Sequence, residues 1–435
     1  MDGDTVVALA TPPGESGIAV IRISGPEAGA ILRGMVEAAA GWRPREVHLA
    51  SLRGADGAIM DRAMALFMKG PDSYTGEDVA EIFCHGSMHI TSKIIEDAIA
   101  RGATPAGRGE FTKRAYLNGK MDLAQAEAVA DLISSETELQ GRVALAHLDG
   151  SLSGKIREIE KSLLEQLALV ELSIDFSEED IDPWDRQALG RKVGEVAGTL
   201  EHLLGSVVAG RKLREGIRIT ILGPRNAGKS SLYNALIGEE RAIVSAVPGT
   251  TRDLLRERIH IGGITYFLED TAGIGEAGCE IEARGMSIGR LAASGADMVL
   301  LVLDGSATQP EGLLEGLQRP GAARHIVLLN KADLGLAEEV GSFSERTGEK
   351  DVLAVSAVEG EGLEELRRLI FEATAGPALD DVRAERIALN TRQGAAVREA
   401  AGALRRVESL ADGKEGAELV AVELREAIEA CGRVT

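Results

Sequence analysis

The sequence predicts a multidomain α/β protein: a small α+β domain, then a helical bundle domain with a doubly wound P-loop domain inserted into it. Three observations carry this. A complete phosphate-loop pattern, Gly223-Pro224-Arg225-Asn226-Ala227-Gly228-Lys229-Ser230, stands near the middle of the 435 residues rather than at their start. It lies between an apolar run, Ile217–Leu222, and a helical pattern from Ser231 to Leu236. That strand–loop–helix context lets backbone N–H groups curl around phosphates. Finally, apolar residues recur at three- and four-residue spacing on both sides of the loop, which predicts amphipathic helices that need partners.

Residues 1–118 alternate short apolar runs (Thr5 to Leu9, Ile18 to Ile23, Ala63 to Phe67, Val79 to Phe83) with helical stretches near 26–38 and 87–101. Turn signals at Pro12-Pro13-Gly14 and Gly70-Pro71-Asp72 separate them, as in a small α+β domain. Residues 119–215 turn helical, with Leu152, Ile156, Ile159, Leu163, Leu167 and Val170 on one stripe and Val193, Val196, Leu200, Leu203 and Val207 on another. Asp182-Pro183 breaks the tract between them. A third helical block, about 384 to 431, falls within 376–435. The simplest packing joins both blocks into one bundle with 216–375 inserted between them. Inside the insert the strand candidates are Ile217–Leu222, Arg256–Ile261, Thr265–Glu269, Met298–Asp304, His325–Leu329 and Val352–Val355. Most are continuous apolar runs, as in strands covered by helices on both faces.

A formal net charge of −21 argues against a general electrostatic grip on nucleic acid or anionic membrane, while leaving room for a local basic groove. Cys84, Cys279 and Cys431 are far apart, and the seven histidines form no ligand-like cluster. No disulfide framework or structural zinc is implied, which fits a reducing compartment. His85 and His89 are four apart but lack a third ligand at sensible spacing. No apolar run reaches transmembrane length, and Met1-Asp2-Gly3-Asp4 is not a signal peptide. The expectation is a folded cytoplasmic protein with no membrane partner.

In the phosphate loop Lys229 would neutralise the outer phosphates and Ser230 would hold Mg²⁺, with Ala227, Gly228 and Ser231 along the same turn. Asn330-Lys331-Ala332-Asp333 closes one strand and Ser356-Ala357 the next. A carboxylate only accepts hydrogen bonds, so Asp333 suits a base edge offering two N–H donors together, which guanine has and adenine lacks. Lys331 would lie along the ring face while Asn330 ties the loops together. In Asp270-Thr271-Ala272-Gly273, Asp270 is placed to reach Mg²⁺ through water and the Gly273 N–H to touch the γ-phosphate. Gly249-Thr250-Thr251-Arg252-Asp253 offers Thr251 as a second Mg²⁺ ligand. In these two stretches a γ-phosphate can order a segment that relaxes on hydrolysis. Ile274 follows Gly273 where Ras has a water-orienting glutamine, and an apolar side chain cannot orient water. Glu276, Glu280 and Glu282 come next, and the residues alone leave open which of them acts.

Further runs join these motifs: Ala10-Thr11-Pro12-Pro13-Gly14, Ile21-Arg22-Ile23-Ser24-Gly25-Pro26, Tyr74-Thr75-Gly76-Glu77-Asp78, and Gly109-Glu110-Phe111-Thr112-Lys113-Arg114-Ala115. Asn118-Gly119-Lys120-Met121-Asp122-Leu123 and Gln125-Ala126-Glu127-Ala128 continue the series. The set resembles the MnmE (TrmE) family of tRNA-modification GTPases over nearly the whole chain. The resemblance implies a folate-binding-like N-terminal domain (1–118) that also forms a homodimer, and a helical domain (119–215 and 376–435) interrupted by the GTPase (216–375). It further implies a heterotetramer with the flavoprotein MnmG, with FAD only on that partner. Together they would place a carboxymethylaminomethyl or aminomethyl group on C5 of the tRNA wobble uridine. The one-carbon unit would come from 5-formyltetrahydrofolate or a related tetrahydrofolate.

Family members are K⁺-dependent. The matching positions are the Asn226 side-chain oxygen and the loop Ser245-Ala246-Val247-Pro248-Gly249-Thr250, with Ser245, Val247 and Thr250 around the ion. A K⁺ there offsets charge on the transferring phosphoryl group, as an arginine finger does. Glu282, in Ile281-Glu282-Ala283-Arg284-Gly285-Met286, aligns with the family's catalytic glutamate and would orient the attacking water. For folate the carry-over falls on Arg22, Glu81 and Lys120. Glutamyl-tail carboxylates suit Arg22 or Lys120, and pterin N–H groups suit Glu81.

Some positions depart from the family pattern. The usual closing Phe-Cys-Ile-Gly-Lys is not among these residues, which run to Ala430-Cys431-Gly432-Arg433-Val434-Thr435. The expectation is a complete GTPase beside an incomplete modification half. Pro224 and Arg225 swap the usual order, Gly275 replaces a common arginine, Gln393 stands for a histidine, and Cys84 and Ser87 alter the neighbourhood of His85. The alternatives are a GTP-dependent switch for ribosome assembly or partner binding, as in the related Era and Der GTPases, and a regulatory remnant without modification activity.

Overall fold

The computed structural model describes residues 3–36, 43–175, 185–238, 256–270, 295–309, 324–376, 378–412 and 416–435. They form two compact units, one of residues 1–129 with Thr435 and one of 130–434.

In the first unit the elements run β1 (Val6–Leu9), β2 (Ser16–Ser24), α1 (Ala28–Met35), β3 (His48–Arg53), β4 (Ile59–Met68), β5 (Val79–Gly86), α2 (Met88–Ala100), β6 (Thr104–Pro105) and α3 (Glu110–Leu117). The strands make one sheet in the order β3-β4-β5-β2-β1-β6, antiparallel except where β6 joins β1. Period-2 alternation does the sorting. Ile21, Ile23 and Ile82 point inward, fully buried among Ile31, Leu32 and Met35 of α1 and Ile94 and Ala98 of α2. Arg22, between the two isoleucines, is thereby sent to the opposite face, directly across from Glu81 of β5. Strand β3 is an addition to the sequence-based expectation. Its Leu52 is buried but Leu49 is 80% exposed, so apolar residues sit on both faces and mask the alternation.

The chain continues with α4 (Leu123–Ile133), α5 (Glu138–Leu148), α6 (Ser151–Asp175), α7 (Arg186–Glu215), β7 (Ile217–Leu222), α8 (Lys229–Gly238), β8 (Arg256–Ile261) and β9 (Ile264–Asp270). After these come β10 (Met298–Asp304), β11 (Arg324–Asn330), α9 (Val340–Thr347), β12 (Val352–Ala354), α10 (Leu363–Thr374), α11 (Ala378–Glu385), α12 (Thr391–Asp412) and α13 (Ala417–Gly432). Helices from both sides of the nucleotide domain pack as one bundle, α12 against α7 and α13, and α13 against α6. Ile156, Leu163 and Val170 of α6 and Leu200 of α7 are completely buried, as are Val397 and Leu404 of α12 and Val420 and Leu424 of α13. At roughly 1.5–3 kcal/mol per buried aliphatic side chain, these stripes are what hold the two chain segments together.

The nucleotide domain is a sheet of order β12-β11-β10-β7-β9-β8, parallel throughout except for β8, which runs antiparallel to β9. The fold is therefore the expected doubly wound type with one antiparallel edge strand. The β8–β9 turn is Gly262-Gly263, both with positive φ, at 58° and 82°. Thr137, which caps α5, donates from Oγ1 to the Gly263 carbonyl at 2.7 Å, and Arg383 of α11 donates to the Gly262 carbonyl at 2.7 Å. Val143 of α5, Leu213 of α7 and Val382 of α11 share one buried core with Ile259, Ile264 and Tyr266 of the hairpin.

Candidate nucleotide-binding site

The central strand β7 is buried at Ile217, Ile219 and Ile221 between β9 and β10, so the loop that follows leaves the sheet at a fixed point. Gly223 has φ of +150°, and a Cβ there would lie 2.0 Å from the Val302 carbonyl oxygen. Gly228 has φ of +90°, and its Cβ would lie 2.1 Å from Asn330 Nδ2. Only glycine fits either place. Asn226 adopts the left-handed conformation, φ 61°, with its side chain exposed. Helix α8 starts at Lys229 and is pinned by buried Leu232 and Leu236, which leaves Ser230 and Ser231 exposed on its first turn. Lys229 Nζ arches back over the loop and donates to the Pro224 carbonyl at 2.8 Å.

Asn330, 2% exposed, joins three loops. Its Nδ2 donates to the Ala227 carbonyl at 2.8 Å, and its Oδ1 accepts from the Ala357 N–H at 3.1 Å. Beyond it Lys331 has φ of 66°, and Asp333 lies on a short 3₁₀ turn, Ala332–Leu334. Ser356 donates from Oγ to Asp333 Oδ1 at 2.6 Å and accepts from the Glu359 N–H at 3.1 Å. Lys331 Nζ reaches Asp304 Oδ2 at 2.5 Å. The parallel register that sets Asp304 beside Asn330 makes this contact possible. The Lys331 ammonium, and then Ser306, hold the Asp304 carboxyl below the usual carboxylate range. Sequence reasoning misses Asp304; its position at the end of β10, level with the end of β11, is the signal that marks it.

The backbone of Asp270 closes β9 opposite Ile221, beside the start of the phosphate loop. Thr271, Ala272, Gly273 and Glu282 lie outside the described residues, as do Ser245, Ala246, Val247, Pro248, Gly249, Thr250 and Thr251. Asn226, Ala227 and Gly228 in the loop after β7, Lys229, Ser230 and Ser231 on the first turn of α8, Asn330, Lys331 and Asp333 at the end of β11, and Ser356 and Ala357 after β12 all lie at the C-terminal ends of parallel strands of one sheet. In an open parallel sheet these strand ends are where ligands bind.

In the first unit Arg22 and Glu81 pair with each other, Nε to Oε1 at 2.7 Å. The guanidinium also lies over the rings of Tyr74 and Phe111, 5.2 and 5.3 Å from their centroids. Lys120 is not part of that pair. Its Nζ donates to the Pro71 carbonyl at 3.0 Å, and it lines an open depression of about 430 Å³ with Arg45, Leu66, Met68, Ser73 and Tyr74. Tyr74 is common to both places. Sequence reasoning also misses the role of Arg114, which is 9% exposed. It binds Asp4 Oδ1 at 2.7 Å, Glu77 Oε2 at 3.1 Å and Glu110 Oε1 at 3.3 Å, tying three distant runs together. Among the described residues there is no metal-ligand cluster of His, Cys, Asp and Glu, and no helix long and apolar enough to cross a membrane.

Comparison with known proteins adds identity to this geometry. The family described as GTP-binding protein TrmE N-terminus matches residues 5–120, and the MnmE helical domain family matches residues 123–435. The tRNA modification GTPase MnmE of Symbiobacterium thermophilum is 40% identical, with 100% of this chain and 96% of that protein aligned. Its counterpart from Aquifex aeolicus is 38% identical over 99% of this chain and 95% of that protein. Among solved structures, the G domain of the T. maritima FeoB iron transporter is 28% identical, covering 36% of this chain and 98% of that one. Its TM-score of 0.27 is too low to carry an argument. The relatives, by contrast, are aligned over 95% or more of their own length, and the two family matches adjoin across the chain. It is a GTPase and belongs to the MnmE (TrmE) family.

Proposed function

We propose that this chain is a K⁺-stimulated GTPase that cleaves GTP to GDP and phosphate. With the flavoprotein MnmG it supports addition of a carboxymethylaminomethyl or aminomethyl group at C5 of the tRNA wobble uridine. The observation that carries the guanine part is the buried Asn330 amide, which links the phosphate loop to the Ser356-Ala357 loop and leaves Asp333 at the same strand ends. The tRNA part is supported by the likeness, over 95% or more of their length, to proteins named tRNA modification GTPase MnmE.

The roles follow from chemistry. Lys229 and the N–H groups of Ala227 and Gly228 hold the phosphates at the start of α8. Asp333 accepts from the guanine edge, with Lys331 against the ring and Ser356-Ala357 closing the pocket. Ser230 and Asn226 are exposed oxygen-bearing side chains beside that loop, a donor set that suits hard cations. Ser230 and Thr251 would hold Mg²⁺, with Asp270 acting through water, and Asn226, Ser245, Val247 and Thr250 would hold K⁺. The cations supply positive charge to the transferring phosphoryl group. Glu282 orients water. In the first unit Arg22, Glu81 and Lys120 are proposed to take a tetrahydrofolate, with the aromatic rings of Tyr74 and Phe111 beside Arg22 offering surfaces for a flat pterin. We assign that function and homodimerisation to 1–118, with Lys120 contributed from just beyond that boundary, GTP turnover to 216–375 and the bundle to 119–215 with 376–435. The assembly is a heterotetramer with MnmG, in the cytoplasm, with FAD on the partner.

The test is to express the 435-residue chain in a bacterium lacking its own MnmE and to quantify modified wobble uridine in bulk tRNA by mass spectrometry. Restoration is expected on this reading; soluble, GTP-hydrolysing protein without restoration would reject the tRNA part in favour of the regulatory remnant. Turnover in K⁺ and Na⁺ at equal ionic strength tests the cation, and equal rates would reject it.

A further inference from the structure

We infer that Asp304 is a positioning residue for the guanine base. Its carboxylate fixes the Lys331 ammonium, so that the aliphatic stem of Lys331 is held as one wall of the base pocket. The inference rests on the guanine reading above.

Lys331 is constrained at both ends. Its backbone is left-handed, φ 66°, a conformation a non-glycine residue seldom adopts, so the direction in which the side chain leaves is set. Its far end is held 2.5 Å from Asp304 Oδ2. A flexible four-carbon stem anchored at both ends has few rotamers left, and ordering it beforehand removes that entropy loss from ligand binding.

Asp304 is itself secured. Its Oδ1 accepts from Ser306 Oγ at 2.6 Å and from the Ser306 N–H at 3.1 Å, which turns Oδ2 toward Lys331. Gln309 Nε2 steadies the same turn by donating to the Asp304 carbonyl at 2.5 Å. The two side chains remain 29% and 28% exposed. The pair thus lies at the rim of the pocket, where a base can rest against it, and not sealed in the core. It also cancels the Lys331 charge locally, leaving the pull on phosphate to Lys229. In the tetrapeptide Asn330 to Asp333 every polar side chain is then held by a neighbour: Asn330 by two loops, Asp333 by Ser356 and Lys331 by Asp304.

The experiment measures GDP dissociation by fluorescence for the full chain, D304N, K331A and the double variant. D304N is expected to release GDP about tenfold faster, the scale of one lost charge-assisted hydrogen bond. If Asp304 acts through Lys331, the double variant loses no more than K331A alone. Binding of tripolyphosphate, which lacks a base, is expected to be unchanged in D304N. An unchanged GDP rate in D304N, losses that multiply in the double variant, or a parallel loss of tripolyphosphate binding would each overturn the assignment. Should D304N not fold, S306A tests the same point through the group that steadies Asp304. An acceleration of about threefold that vanishes in the K331A background supports the assignment, and no acceleration overturns it. D333N tests the guanine reading separately, because an amide donor there should favour xanthine nucleotides over guanine ones. If that preference does not change, the guanine reading itself fails.

Discussion

Replacing Asn330 with alanine removes a side chain that is 2% exposed and makes two hydrogen bonds, to the Ala227 carbonyl and from the Ala357 N–H. Each neutral bond contributes about 1 kcal/mol net, and any partner that stays buried without a replacement adds roughly 1–3 kcal/mol. A local loss of about 2–3 kcal/mol follows, with no change in the strands behind the loops. Hydrogen exchange read residue by residue is the right assay, since it reports local opening separately from global unfolding. Protection of the Ala357 amide should fall about 30- to 150-fold, and that of the loop 223–230 should fall with it. Amides of Ile219, Leu300 and Leu328, in the middle of β7, β10 and β11, should exchange as before. If Ala357 keeps its protection in Asn330→Ala, the loops are held by something other than this amide, and one buried side chain does not organise the site.

Three other outcomes are expected. Gly228→Ala puts a methyl group 2.1 Å from Asn330 Nδ2 at a φ of +90°, so it should cost about 1–3 kcal/mol and reduce GDP affinity more than about tenfold; calorimetric binding as tight as the parent's would contradict the geometry. Burial, and secondarily Glu160, pushes the Cys431 thiol up to about 12, and burial, with Asp61 adding to it, pushes Cys84 up to about 11. Each raised value means that the folded state holds the thiol proton longer than the unfolded chain, so their contribution is intact below about pH 8.5 and is lost as pH rises toward 11 and 12. Neither thiol should be alkylated in native protein at about pH 8, and rapid labelling of either in a mass-spectrometric time course would count against the packing. Arg22→Ala strips Glu81 of its 2.7 Å partner, so it should weaken tetrahydrofolate binding while GTP turnover stays near that of the parent; retained folate affinity would remove Arg22 from the proposed site.

The nucleotide domain is legible in the sequence because most of its strands are continuous apolar runs. Ile217–Leu222, Arg256–Ile261 and Met298–Asp304 have the bounds expected from sequence, while Val352–Val355 shortens by one residue and the strand expected at 265–269 grows by one at each end. The helical tract is legible as helix but not in its divisions: the short helices Leu123–Ile133 and Glu138–Leu148 bury only two and three residues each, against seven and ten in the two that follow. Side-chain partnerships are the hardest to read. Arg22 and Glu81 look like two separate ligand groups, and only the antiparallel register shows that they neutralise each other. Arg114 also binds Asp4 and Glu77, 110 and 37 positions away, and no local pattern predicts such a junction.

An inserted domain ordinarily hangs from the two points where the chain enters and leaves, and two points define an axle about which it can swing. Here the Gly262-Gly263 turn is a third point of attachment, gripped by Thr137 and Arg383. The turn is backed by the apolar core in which Val143, Leu213 and Val382 meet Ile259, Ile264 and Tyr266, so free pivoting is opposed. For the nucleotide domain to turn against the bundle, it must release one of these grips or bend the β8–β9 ribbon. That ribbon spans 256–270, between the two stretches assigned from sequence to sensing the γ-phosphate. A displacement at its phosphate end therefore acts as on a lever whose other end is held in helices α5 and α11.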